Sequence, residues 1–111
     1  MPSQINTFRT ITANVTSVET TVYTAPFGIT SIILMAQVAN LTANNGNVSF
    51  THITQSNVRS ELVKNYKIPK HDAANLLTGK LIIEQNCSVK ISASANGMYN
   101  LTMSVLESTN A

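Results

Sequence analysis

The chain has 111 residues, enough for one domain with a modest core, and no apolar run long enough to cross a membrane. Its single cysteine, Cys87, excludes an internal disulfide framework and a cysteine-rich zinc site. Only 11% of residues are charged, against roughly a quarter in an ordinary soluble domain, and the net charge of +2 gives no argument for a nucleic-acid partner.

Ser, Thr and Asn take the place of the missing charges. A surface hydrated by hydroxyls and amides is insensitive to salt screening. It also suits a protein packed densely beside its own copies. The same composition favours strands and turns over helices.

Residues 1–6 read as an arm, without the basic, apolar and cleavage regions of a signal peptide, so no signal-directed export is expected. Residues 7–108 form one domain. Phe8 to Val15 is a first strand, and Glu19 to Thr24 a second, with Val22 inward. In the turn Ala25-Pro26-Phe27-Gly28, Pro26 fixes one φ and Gly28 can take a positive one. The third strand, from Ile29 to Val38, is apolar throughout its middle, which suggests burial on both faces. A buried helix is the competing reading, because Ile29, Ile32, Ile33 and Ala36 fit helical spacing. The β-branched residues, the Pro-Gly entry and the absent cap favour the strand.

Thr42 to Asn47 is a turn cluster. Val48 to Gln55 is the fourth strand, with Val48 and Phe50 on one face, and Val58 to Ile68 the fifth. One short helical turn is expected near residues 72–77, capped by Asp72 and stopped by Gly79. Leu81-Ile82-Ile83 is a sixth strand. The last two strands alternate cleanly, Cys87 to Ala95 and Tyr99 to Leu106, with Asn96-Gly97 between them. If they are neighbours, a three-residue turn with Gly97 left-handed sets Ile91 opposite Leu101 and Val89 opposite Met103. About eight short strands with Gly and Asn turns indicate an all-β, antiparallel, jelly-roll-like β-sandwich.

No chemistry converges in the sequence. There is no G-x-S-x-G, no carboxylate pair and no Gly-rich phosphate loop. His52 and His71 have no metal-ligand spacing. Cys87 falls in an inward register and reads as a small buried hydrophobe rather than a nucleophile. Catalytic, cofactor and metal sites are therefore all expected to be absent, and the chain is not expected to be an enzyme. Four Asn-x-Ser/Thr sequons, at Asn14, Asn40, Asn47 and Asn100, are about as many as chance supplies.

Thr21-Val22-Tyr23-Thr24-Ala25-Pro26-Phe27-Gly28, leading into the apolar strand that ends Val38-Ala39-Asn40, resembles small virion structural proteins of tailed bacteriophages, marine cyanophages among them. Ile68-Pro69 with Asp72-Ala73-Ala74-Asn75-Leu76-Leu77-Thr78-Gly79-Lys80-Leu81 resembles them too, as do the two closing strands. The likeness covers roughly residues 20–107. Phe27 stands where a smaller residue is expected, and Lys70-His71 where Ala-Gly is. The resemblance implies a β-sandwich present in many copies on the virion, as a capsid decoration or cement protein, or in the tail, neck or fibres. A glycan- or receptor-binding module is the rival, weakened by the absence of Trp.

Five basic residues fall between Arg59 and Lys80. Lys70, His71 and Asp72 concentrate charge in one loop, expected to project from an end of the sandwich onto a neighbouring subunit. Strands apolar on both faces leave an outer patch of the size that marks an interface: Ile32, Leu34 and Ala36 point one way and Ile33 with Met35 the other, either set lying beside Leu81 to Ile83, with Ile33 and Met35 as candidate contacts. The expected partners are further copies of the chain, as a homo-oligomer such as a trimer, and other virion proteins. Neither nucleic acid nor membrane is expected.

Overall fold

The computed structural model describes residues 6–109. Of the expected arm, residues 1–5 lie outside the described residues, and Asn6 already opens a strand. Nine strands follow in chain order: β1 (Asn6–Val15), β2 (Thr20–Thr24), β3 (Ile29–Asn40), β4 (Gly46–Ile53), β5 (Arg59–Ile68), β6 (Ala73–Asn75), β7 (Leu81–Ile83), β8 (Ser88–Ala93) and β9 (Tyr99–Thr109). One sheet has the order β1-β9-β3-β6, with β7 also paired to β3, and the other has the order β2-β8-β4-β5. All pairings are antiparallel. With β6 and β7 taken as one interrupted strand, this is the eight-stranded jelly roll.

The core lies between the sheets. Alternating inward residues supply it, among them Val48, Phe50, Val89, Ile91, Leu101, Met103 and Val105, each at most 1% exposed. Cys87 is buried with them and Tyr99 points inward, as the alternation indicates.

Four local readings change. The segment at 72–77 is not helical. Asp72 Oδ1 accepts the N–H of its neighbour Ala73 and not one two or three residues on, as a cap would, and residues 73–75 run extended along β3, Ala73 opposite Ala39 and Asn75 opposite Gln37. One isolated turn repays too little of its nucleation cost. The free edge of β3 offers instead a ladder that Leu76 N–H to Ala36 O and Asn40 N–H to Asp72 O extend at either end. In β2 the register shifts between Thr21 and Tyr23, so Tyr23 is buried and Val22 only half-buried.

In β3 a second shift, between Ile33 and Met35, leaves Leu34 bulged. Ser31, Ile33, Ala36, Val38 and Asn40 then all face inward and are buried. Ile33 and Met35 do not share a face. A bulge reverses the parity of every position beyond it, and an apolar run carries no mark of where it falls.

The last two strands are not a hairpin. β8 lies between β2 and β4, and β9 between β1 and β3. Ile91 pairs with Thr20 and Phe50, and Leu101 with Ala13 and Val38. Alternation says that one face of each strand is buried. It is equally satisfied by neighbours in one sheet and by strands facing each other across the core.

Gly97 keeps its expected left-handed backbone, at φ +76°, but in the crossing between sheets and not in a three-residue hairpin turn. A Cβ there meets nothing within 4 Å, so Gly97→Val carries only the left-handed backbone penalty. We expect a loss of about 1–2 kcal/mol in urea denaturation; an unchanged midpoint would refute this.

Candidate interaction surface

The register of the first sheet makes its outer face a grid. From the end bearing the Lys70 loop downward, its rows are Asn14-Asn100-Ala39, Thr12-Thr102-Gln37, Thr10-Ser104-Met35, Phe8-Leu106-Ile32-Ile82 and Asn6-Ser108-Thr30. Opposed residues share a face, so the fourth row is an unbroken apolar line across four strands. Phe8 is 74% exposed and Ile82 60%; Leu106 and Ile32 between them are half-buried. The bulge puts half-buried Leu34 beside Met35 on this outer side. The chain has seven basic and five acidic residues, and none stands in the grid. Lys80, just before β7, marks its rim.

The other sheet carries charge on its outer face. Arg59 donates two hydrogen bonds to Glu19, Nη1 to Oε1 at 2.9 Å and Nη2 to Oε2 at 2.6 Å. That pairing holds the Glu19 carboxyl below its ordinary range. Lys64 approaches Glu61 at 3.8 Å, and Lys90 shares a row with Thr21, Thr51 and Glu61. On the edge strand β5, charged side chains and register shifts blunt strand addition from outside.

The loop with Lys70, His71 and Asp72 is solvent-exposed in its side chains and fixed in its backbone. Lys70 N–H bonds Asn45 Oδ1 at 3.0 Å, and His71 N–H bonds Thr42 O at 3.1 Å. His71 sits at φ +55°. Residues 69–72 therefore turn at the end of the sandwich, while 73–75 return into the sheet. A shallow cavity of about 320 Å³ lies beside this turn, lined by Asn45, Gly46, Asn47, Lys67, Ile68 and Pro69, with Lys67 as the charged residue in its lining.

Sequence reasoning placed these three loop residues and Met35 at the surface. It placed Ile33 there as well, and that is corrected: Ile33 is wholly buried in its own core and offers nothing to a partner. It missed Phe8, Ile32, Leu106 and Ile82 as a row, because the row exists only once β9 is inserted between β1 and β3. It also missed Asn40. This residue is buried, and Thr42, the third member of its sequon, is bonded to it through both N–H and Oγ1.

Toward the opposite end a polar cluster ties the sheets together. The Tyr23 hydroxyl lies 2.6 Å from Ser31 Oγ and donates to Glu107 Oε2 at 2.5 Å, and Arg9 Nη1 reaches the same oxygen at 3.3 Å. Burial, then the Glu107 carboxylate, pushes the Tyr23 phenol up to about 12. Between pH 10 and about 12 the folded state therefore holds a proton that the unfolded chain has released, and stability falls as pH rises through that window. Burial raises Tyr99 in the same sense. We expect Tyr23→Phe to lose about 2 kcal/mol at neutral pH, the order of a hydrogen bond to a charged group. Its stability should also decline less than the wild type's above pH 10. Parallel denaturation curves at pH 7 and pH 11 check both, and an identical decline in the two proteins would refute the assignment.

These features define a jelly-roll β-sandwich with one charged outer face and one uncharged, apolar-crossed outer face. No family's sequence model matches the chain, and no curated protein matches it in sequence. In fold it is similar to a chain from Bacillus endospore appendages, a family of disulfide-linked pili. That TM-score is 0.61 at 11% identity, over 98% of this chain and 90% of that one. It is also similar to chains of infectious bursal disease virus, Gt and Gx strains, with a TM-score of 0.50 at 11% and 12% identity. There 98% of this chain is covered but 33% of the viral chain, so this domain spans about a third of the viral chain's length.

Proposed function

We propose that the chain is a structural protein of a bacteriophage virion, present in many copies, self-associating and docked on the particle surface as a capsid decoration or cement protein. The observation that carries this reading is the uncharged outer face crossed by Phe8, Leu106, Ile32 and Ile82. A monomer living alone in water has little reason to line up four large apolar side chains with two largely exposed. The absence of charge from the grid removes the repulsion that keeps identical surfaces apart. The likeness in fold to pilus and virus chains supports an assembling role, and the resemblance of residues 20–107 to small phage virion proteins supports the virion as its place. In this reading the chain performs no catalysis, and its partners are its own copies and the capsid or tail proteins beneath them.

Quantitative mass spectrometry of purified phage particles tests it. Tens to hundreds of copies per particle, with density on the capsid surface in electron micrographs, are expected. Density confined to tail or fibres would keep the structural role and move its place. Absence from the particles, or a glycan bound by the isolated chain, would overturn the reading.

A further inference from the structure

The grid of the first sheet is specific enough to name its occupant. We infer that the uncharged face packs against the same face of a second copy, about a two-fold axis lying between the two sheets and parallel to their strands. The inference rests on the assembling role proposed above and goes further, to one partner and one geometry.

Three features select a second copy. The grid positions carry no charge, with Lys80 and Glu84 flanking Ile82 only at the edge, so the complement is another largely uncharged face, and the nearest supply is the chain itself. A basic or acidic partner surface would lose hydration there and gain no ion pair. The size also fits. Strands spaced about 4.8 Å apart and rising about 3.3 Å per residue give three long strands and an edge a plane on the order of 500–600 Å². Side-chain relief enlarges that toward the roughly 800 Å² per partner of a stable pair.

The row is symmetric in kind as well. Its exposed ends are Phe8 and Ile82, and its half-buried middle is Leu106 and Ile32. An axis parallel to the strands reverses the row, setting Phe8 against the partner's Ile82 and Leu106 against the partner's Ile32. Each protruding end then meets a protruding end of the other kind, twice over, as an isologous contact requires. The Thr, Ser and Asn rows on either side form the polar rim.

Sedimentation of the full chain at tens of micromolar tests this. The wild type should run at twice the 12.0 kDa chain mass. Phe8→Lys and Ile82→Glu, at exposed positions, should each run as monomers, because each sets one charge against an apolar side chain at both ends of the row. An equimolar mixture of the two should regain the dimer, with Lys against Glu at one end and the native apolar pair at the other. Should either variant fail to fold, Phe8→Glu mixed with Ile82→Lys repeats the test with signs exchanged. A wild-type monomer, a trimer, dimers surviving in the single variants, or a mixture that stays monomeric would each overturn the inference. A wild-type monomer that still coats phage particles would sink this pairing alone and leave the virion role standing. A monomer that also fails to coat them would count against both.

Discussion

Replacing Asn40 with alanine should cost about 3 kcal/mol, a large loss for one uncharged polar side chain. The reason is the number of groups it satisfies. Asn40 Nδ2 donates to Asn44 O at 2.8 Å and to Ile68 O at 3.1 Å. Its Oδ1 accepts from Thr42 N–H at 3.0 Å and Thr42 Oγ1 at 2.9 Å. Each neutral hydrogen bond is worth on the order of 1 kcal/mol net, and a buried group stripped of its partner costs more. The residue is 3% exposed, so water has little access to replace the amide.

The loss should also be local before it is global. Thr42 O receives the His71 N–H, so slackening of the 42–45 turn passes directly to the loop that displays Lys70, His71 and Asp72. Hydrogen exchange should show protection falling at the Lys70 and His71 amides well before the β9 core opens. Unchanged protection at those amides, with the same global stability, would disprove the role of Asn40.

Asn40 also shows what the sequence could and could not disclose. Asn-Leu-Thr reads as a sequon or a turn residue, and both readings are about the surface. What makes it structural is the approach of Ile68 from β5, 28 residues away, and no local pattern carries that information. Elsewhere local pattern was enough. The strict alternation at Val89-Ile91 and Leu101-Met103-Val105 named the inward residues, and Pro26-Phe27-Gly28 marked a real reversal, with Gly28 at φ +79° and Ile29 N–H bonded to Pro26 O. Parity failed at two of the register shifts, β2 near Val22 and β3 at Leu34. Pairing failed at β8 and β9, where periodicity fixes the face and leaves the neighbour free. The candidate surface fell between these cases. Apolar excess on β3 and β7 was visible, but its alignment with Phe8 and Leu106 is a property of strand order.

Gly46→Ala should lose about 3 kcal/mol as well, for the opposite reason. Asn40 supplies contacts, whereas Gly46 supplies room. Tyr99 opens β9 between Val15 and Asn40 in the first sheet. Its buried side chain crosses the core so that the hydroxyl ends at Gly46, the first residue of β4 in the second sheet. A Cβ on Gly46 would collide with that hydroxyl and stand 2.9 Å from Ser94 Oγ and 3.0 Å from Met98 Cε. Tyr99 is 1% exposed and walled in, so it cannot swing aside without moving β4 or the 94–98 crossing. Overpacking of this kind typically costs about 1–3 kcal/mol, and a rigid aromatic held between two sheets belongs at the upper end.

The hydroxyl itself forms no well-aligned hydrogen bond, with Ser94 as its polar neighbour. Tyr99→Phe alone should then be neutral to slightly stabilising, because it removes a buried hydroxyl that lacks a well-aligned partner. In the double variant Gly46→Ala with Tyr99→Phe the phenyl ring ends one atom short of the added methyl, and most of the lost stability should return. The coupling between the two sites in a double-mutant cycle should therefore approach the whole cost of the single glycine change, about 2–3 kcal/mol. Additive losses in urea denaturation would mean that Gly46 is needed for its own backbone and not for the ring that reaches it.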